Sequence, residues 1–277
     1  MSAPNATARG LPAESPQPGR SGAWLICEYL LIVWRRFLVS SIATAIVNPL
    51  LYLLALGFGL GTLVDNGPGA AALGGVAYVR YIAPALLTAA ALQTGVSVAA
   101  YPVLAGFVWE KVFWGMTATP ILPRQIAYGQ LIYFTLRMLV GSVFYYLVVL
   151  AFGAAGRPAG ALAIGVATLT GLSCSVWVMA FAAMMKSEGN GFNLIFRLVL
   201  VPMTLFSGSF FPIDQLPAVV RPLAWISPLW HGNELSRTLM LGGGGWIANL
   251  GHLALLVVLG VVGMVAATRT FTKRLIV

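Results

Sequence analysis

The 277-residue chain is 59% hydrophobic and 8% charged, where a soluble domain carries about 25% charged residues; it cannot coat itself with polar surface, so lipid must be part of its solvent. Its 16 Lys and Arg against 7 Asp and Glu would suggest nucleic acid in a soluble protein, but in a membrane chain such an excess collects at cytoplasmic helix ends, and no nucleic-acid partner is expected. Cys27 precedes the first span and Cys174 falls inside one, and neither has metal-ligand spacing, which argues against a disulfide or a metal site.

Residues 1–21, rich in Pro, Ser, Ala and Gly, contain no apolar stretch and read as a disordered cytoplasmic tail. Residues 23–36 look like a helix lying in the membrane interface. Trp24, Tyr29 and Trp34 suit the headgroup region, and Arg35 and Arg36 suit anionic lipid; the open alternative is the start of one long first helix. Ionisable groups are costly in hydrocarbon, so the gaps between them locate the spans. Six follow, at about 39–62, 82–106, 129–152, 160–184, 192–211 and 246–268, predicting an all-α integral membrane fold over 22–277. Asn48 and Pro49, with Gly57, Gly59 and Gly61, predict a kinked first span with a close-packed face. Gln93, Ser97 and Tyr101 give the second span a polar stripe that either lines a path or bonds across helices.

Residues 107–123, ending near Pro120, read as a short amphipathic cytoplasmic helix carrying Trp109, Glu110, Lys111, Phe113 and Trp114. Arg137 lies within the third span, ~13 Å from its start. It either snorkels to the inner interface or faces a water-filled path and meets an anionic headgroup. Residues 212–240 hold Pro212, Pro217, Pro222 and Pro228 among apolar residues, which predicts broken, re-entrant helices on the outer side before the last span. With the N-terminus inside, eleven basic residues fall in inside segments against four outside, Arg80, Arg157, Arg221 and Arg237. That predicts both termini in the cytoplasm.

Absent chemistry narrows the function. None of Lys111, Lys186 and Lys273 follows a glycine, so the chain has no phosphate loop of the G-x-x-x-x-G-K type. The acids Glu14, Glu28, Asp65, Glu110, Glu188, Asp214 and Glu234 all fall in tails, loops or the interface, leaving no intramembrane carboxylate to relay a proton or sodium ion. His231 and His252 are the two histidines, too few for a metal site, and His252 reads as a hydrogen-bonded packing residue. No catalytic set is present, and an energy source outside the chain is expected.

Trp109-Glu110, Thr119-Pro120, Gly129 and Arg137 come first in a distinctive order. They are followed by Phe206-Ser207-Gly208-x-x-Phe211-Pro212-x-x-x-Leu216-Pro217 and Pro228-Leu229-Trp230-His231. Over roughly residues 30–270 this resembles the ABC type-2 exporter permeases, in particular the nodulation-protein-J and daunorubicin-resistance branch. The resemblance implies a coupling helix at about Gly106–Pro120 that docks on a separate ATPase, with Glu110 and Lys111 as polar contacts. It implies a connecting helix at 23–36 and an outer lid after 206–217. It also implies a second permease, itself or a paralogue, and ATP and Mg bound by the partner ATPase, with no cofactor on this chain. The substrate would be an amphiphile (a glycolipid, a lipooligosaccharide or a hydrophobic drug) exported across the bacterial inner membrane. Arg137, Asn48, Gln93, Ser97, Tyr101, Phe206 and Phe211 are the candidate substrate-path residues. A non-transporting membrane scaffold and a membrane-embedded lipid-modifying enzyme remain as alternatives.

Overall fold

The computed structural model of the chain describes residues 21–186 and 190–276; the expected tail, 1–21, lies outside the described residues except for Ser21. Among the described residues the regular structure is all helical. Helix α1 (Gly22–Arg35) ends in a turn at Arg36–Phe37, so the interfacial segment is a helix of its own and not the start of the first span. It lies along the first turns of α5 (Pro123–Ala151). Gly129 makes that approach possible, because a Cβ there would sit 2.5 Å from the Ile26 Cβ and 2.7 Å from the Ala23 carbonyl oxygen. Trp24 and Tyr29 are exposed, as interface anchors would be, whereas Trp34 is buried.

The first span, α2 (Leu38–Asp65), carries Pro49, which cannot donate to the helix ladder. Directly after it, residues 53–60 relax into wider π-helical turns. Gly57 meets Val79 of the next span, while Gly59 faces open space. The Asp65 carboxylate accepts from the Tyr78 backbone N–H at 2.8 Å and so caps α3 (Tyr78–Phe107). Helix α3 is the central element: 78% of its apolar window is buried, against 11% for α2. It breaks at Ala100 (ψ −99°), two residues before Pro102. Gly95 of α3 and Gly171 of α6 (Pro158–Met184) let those helices close around Met138, whose Sδ would lie 2.6 Å from a Cβ on Gly95.

The 107–123 connection differs from one continuous amphipathic helix. After Phe107 the chain turns through a left-handed Lys111 (φ +54°) into the six-residue helix α4 (Val112–Thr117). Beyond α6 come α7 (Gly191–Phe206), α8 (Arg221–Ile226), α9 (Pro228–Leu241) and α10 (Trp246–Leu275). Five helices, α2, α3, α5, α6 and α10, are long and apolar enough to cross a membrane. The expected fifth of six spans, 192–211, is represented by α7, whose 16 residues cover ~24 Å at 1.5 Å each, short of a ~30 Å hydrocarbon core. It stops early because Gly208 turns the chain with φ +67°. Near its start Phe192 packs against Tyr101 and Phe181, with ring centroids 5.0 and 5.8 Å away. Just past its end, the Gly208 carbonyl accepts from the Tyr81 hydroxyl at 3.4 Å. Tyr101 and Tyr81 are about 30 Å apart along α3.

The prolines of 212–240 break that stretch as expected, into a 3-10 turn at Ile213–Gln215, α8 and α9. Helix α9 wedges against α3 and α6, where Gly232 meets Thr88 and Thr170. It reaches α10 through His231, whose Nδ1 lies 2.7 Å from Nδ1 of His252. At the other end of the bundle, α1, α4 and the last turns of α6 and α10 gather. Phe271 packs on Phe107 (4.8 Å) and Phe113 (5.7 Å), and Arg274 donates to the carbonyls of Ala183 (2.9 Å) and Met185 (2.6 Å).

Candidate functional site

A polar cavity of about 300 Å³ opens between α2, α3 and α5, with Trp34 of α1 at its edge. Ser40, Ser41, Thr44 and Asn48 of α2 line one side, Gln93, Thr94 and Ser97 of α3 another, and Arg137, Ser142 and Tyr145 of α5 the third. The pairs Ser41–Ala45 and Ala45–Pro49, Gln93–Ser97 and Arg137–Gly141 follow i, i+4 spacing, which puts each set on one helix face. Four of the candidate path residues, Arg137, Asn48, Gln93 and Ser97, therefore share one cavity. Tyr101 does not join them. The break at Ala100 turns its ring to Phe192 and Phe196 (centroids 5.0 and 6.4 Å). Phe206 and Phe211 lie at the far end, partly exposed around the Gly208 turn.

Arg137 is the fifteenth of the 29 residues of α5, with about 21 Å of helix on either side. Its Nη1 donates to the Tyr133 hydroxyl at 2.9 Å, and its guanidinium carbon stands 5.8 Å from the Trp34 ring. The Trp34 Nε1 in turn donates to Ser41 Oγ at 3.0 Å, which ties the interfacial helix to the cavity wall. The ion pair Arg237–Glu234, at 3.0 Å, lies elsewhere, and no carboxylate among the described residues is seen paired with Arg137. Ser142 Oγ and Tyr145 Oη are buried, each residue 3% exposed, and neither has a hydrogen-bond partner among the described residues. An unsatisfied buried hydroxyl costs about 1–3 kcal/mol, and α5 carries two of them on the cavity side. Tyr133, Ser142 and Tyr145 were not among the sequence candidates. The signal was present, since Tyr133, Arg137, Gly141 and Tyr145 recur every four residues.

The Phe206–Pro217 motif has a structural reason. Gly208 reverses the chain, and the carbonyls it exposes are collected by α9. Asn233 Nδ2 donates to the Ser207 carbonyl and to Ser209 Oγ, both at 3.0 Å. Arg237 donates to the Gly208 carbonyl and lies 4.0 Å over the Tyr81 ring. Ser207 Oγ and Ser227 Oγ share a hydrogen bond of 2.6 Å.

At the α4 end, the candidate coupling residues divide by exposure. Trp109, Glu110, Lys111 and Pro120 are exposed, and Trp109 presents 52% of its surface. Phe113 is buried against Gly106, Phe107 and Phe271, and Trp114 donates its Nε1 to the Phe107 carbonyl at 3.2 Å. Phe113 thus anchors the segment to the bundle, while Trp109, Glu110 and Lys111 form its outward tip. On α1 Cys27 is fully buried, and burial pushes its thiol above the ordinary range, where little of the nucleophilic thiolate forms. No group of three or more His, Cys, Asp or Glu comes together among the described residues.

Five helices long and apolar enough to cross a membrane, packed around a cavity, define a multi-pass membrane protein. The ABC-2 type transporter family model matches residues 23–241, and the chain belongs to that family. Its curated relatives include Nodulation protein J of Rhizobium leguminosarum bv. trifolii, 27% identical over 81% of this chain and 84% of the relative. The proteins of the same name from Rhizobium leguminosarum bv. viciae (26%, over 88% and 91%) and Rhizobium meliloti (25%, over 88% and 90%) are similar at comparable length. No solved structure matches the chain significantly. The family makes the chain the membrane subunit of an ABC transporter, a class that works with an ABC ATPase.

Proposed function

We propose that the chain is the permease subunit of an ATP-driven exporter, moving an amphiphile out across the bacterial inner membrane with energy from separate ATPase subunits that bind ATP and Mg. The observation that carries this reading is the cavity. Asn48, Gln93 and Ser97 are exposed on the single chain yet sit within apolar spans, and such groups seldom face lipid. A second permease, a self-copy or a paralogue, would cover them and turn the cavity into a path. The outward Trp109-Glu110-Lys111 tip is the docking point for the ATPase, and Phe113 passes its movement to Phe107 and Phe271. The opposed contacts of α7 with Tyr101 and Tyr81 support a sixth crossing. With six crossings the two termini share one face, and the excess of basic residues at the α4 end supports a cytoplasmic position for that face.

The test is to co-express the chain with its ATPase and measure co-purification and ATP turnover in lipid nanodiscs. Stable association, with turnover that depends on this subunit and rises with an amphiphilic substrate, is the expected result. Failure to associate with the ATPase would remove the reading. Turnover of a lipid by the purified chain without ATP would replace it with the lipid-modifying alternative.

A further inference from the structure

We propose that the cavity between α2, α3 and α5 is a binding site for an oxyanion of the phosphate type joined to a hydroxyl-bearing headgroup, with Arg137 on the anion and Ser142 and Tyr145 on the headgroup oxygens. This rests on the exporter reading for its purpose, but the site is argued from its own geometry. Arg137 lines the cavity, and one of its five N–H donors is taken by the Tyr133 hydroxyl. No carboxylate among the described residues neutralises it. A guanidinium in the middle of a 29-residue apolar helix needs an anion or water to complete it, and its planar fork matches a phosphate bidentately.

The second observation is independent of charge. Ser142 and Tyr145 are lining residues of the same cavity, and their hydroxyls are buried with no hydrogen-bond partner among the described residues. They stand ~7.5 and ~12 Å along α5 from Arg137, on the side away from the α4 end. A ligand with its anion at Arg137 would place its hydroxyl or ester oxygens further along α5, toward Ser142 and Tyr145. The volume, about 300 Å³, suits a headgroup and not a whole lipid, so any acyl chain would extend beyond the cavity. Arg137 disfavours a cationic amphiphile in the same place, which narrows the substrate classes open to the exporter.

The experiment uses the full purified chain, titrated calorimetrically with four probes: dihexanoyl phosphatidic acid, dihexanoyl phosphatidylglycerol, dihexanoyl phosphatidylcholine and inorganic phosphate. The expected result is preference for the two anionic lipids over phosphatidylcholine, with Arg137→Gln weakening both at least about tenfold and Arg137→Lys less. Tyr145→Phe is expected to weaken phosphatidylglycerol, which carries headgroup hydroxyls, more than phosphatidic acid, while unliganded thermal stability stays level or rises. That combination separates a ligand-facing hydroxyl from a structural one. Inorganic phosphate binding as tightly as the lipids, and lost in Arg137→Gln, would uphold the oxyanion site and assign it to a free anion. Equal binding of phosphatidylcholine and phosphatidic acid, or equal affinity in the wild type and Arg137→Gln, would overturn the proposal. Either outcome would leave ATPase association untouched, so failure here is distinct from failure of the exporter reading.

Discussion

Arg237 of α9 lies 4.0 Å over the ring of Tyr81 at the start of α3 and donates to the Gly208 carbonyl beyond α7. One side chain, 8% exposed, thereby joins three elements that are 127 and 156 residues apart by their bonded pairs. Its charge is met by Glu234 at 3.0 Å, itself partly exposed. Arg237→Ala would leave a buried turn without its donor and is expected to destabilise the protein by about 3 kcal/mol. Thermal unfolding in detergent checks this, and a midpoint equal to the wild type would show that Asn233 alone holds the turn.

The coupling tip and its anchor should separate in experiment. Trp109 is largely exposed and Phe113 buried. Trp109→Ala is expected to change stability by no more than about 0.5 kcal/mol while lowering co-purification with the ATPase. Phe113→Ala removes a packed aromatic and should cost about 3–5 kcal/mol. Equal stability losses in the two variants would mean that the tip is also folded against the bundle.

The charge-free stretches fall within the long apolar helices because ionisable groups are expensive in hydrocarbon, but charge marks the edge of the hydrocarbon and not the end of a helix. Helix α5 starts at Pro123, before Arg124, and α10 runs through Arg269, Lys273 and Arg274 to Leu275. The expected boundaries, 129 and 268, fell short for that reason. The breaks were less legible. Pro49 and the prolines of 212–240 announce themselves, whereas the left-handed Lys111 carries no sequence mark. Of the candidate path residues, Arg137, Asn48, Gln93 and Ser97 meet in the cavity because each lies on the cavity side of its own helix. Tyr101 continues the same four-residue spacing in sequence, but the break at Ala100 turns it elsewhere. The unpartnered hydroxyls of Ser142 and Tyr145 could not be read from the sequence, because a buried serine or tyrosine ordinarily finds a partner.

Lys111 holds φ +54°, a conformation that costs a side-chain-bearing residue roughly 1–2 kcal/mol. Lys111→Gly is expected to relieve about 1 kcal/mol of this in the isolated subunit. If the ammonium also contacts the ATPase, the same variant gains stability while losing subunit-dependent ATP turnover. A gain in stability with turnover unchanged would reduce Lys111 to a turn residue.

The seating of α1 on α5 depends on Gly129, where any Cβ would strike Ile26 and the Ala23 carbonyl. Gly129→Leu should lift α1 away, and Cys27, fully buried on the inner face of α1, supplies the reporter. In a Cys174→Ser background, Cys27 is expected to resist a membrane-impermeant maleimide in the native protein and to react in Gly129→Leu. Because Trp34 at the end of α1 lines the cavity and bonds Ser41, the lifted helix should also open the cavity wall. Binding of anionic lipid should then weaken although Arg137 is intact. Labelling of Cys27 without any change in lipid binding would show that α1 is an interfacial anchor whose position the cavity does not feel.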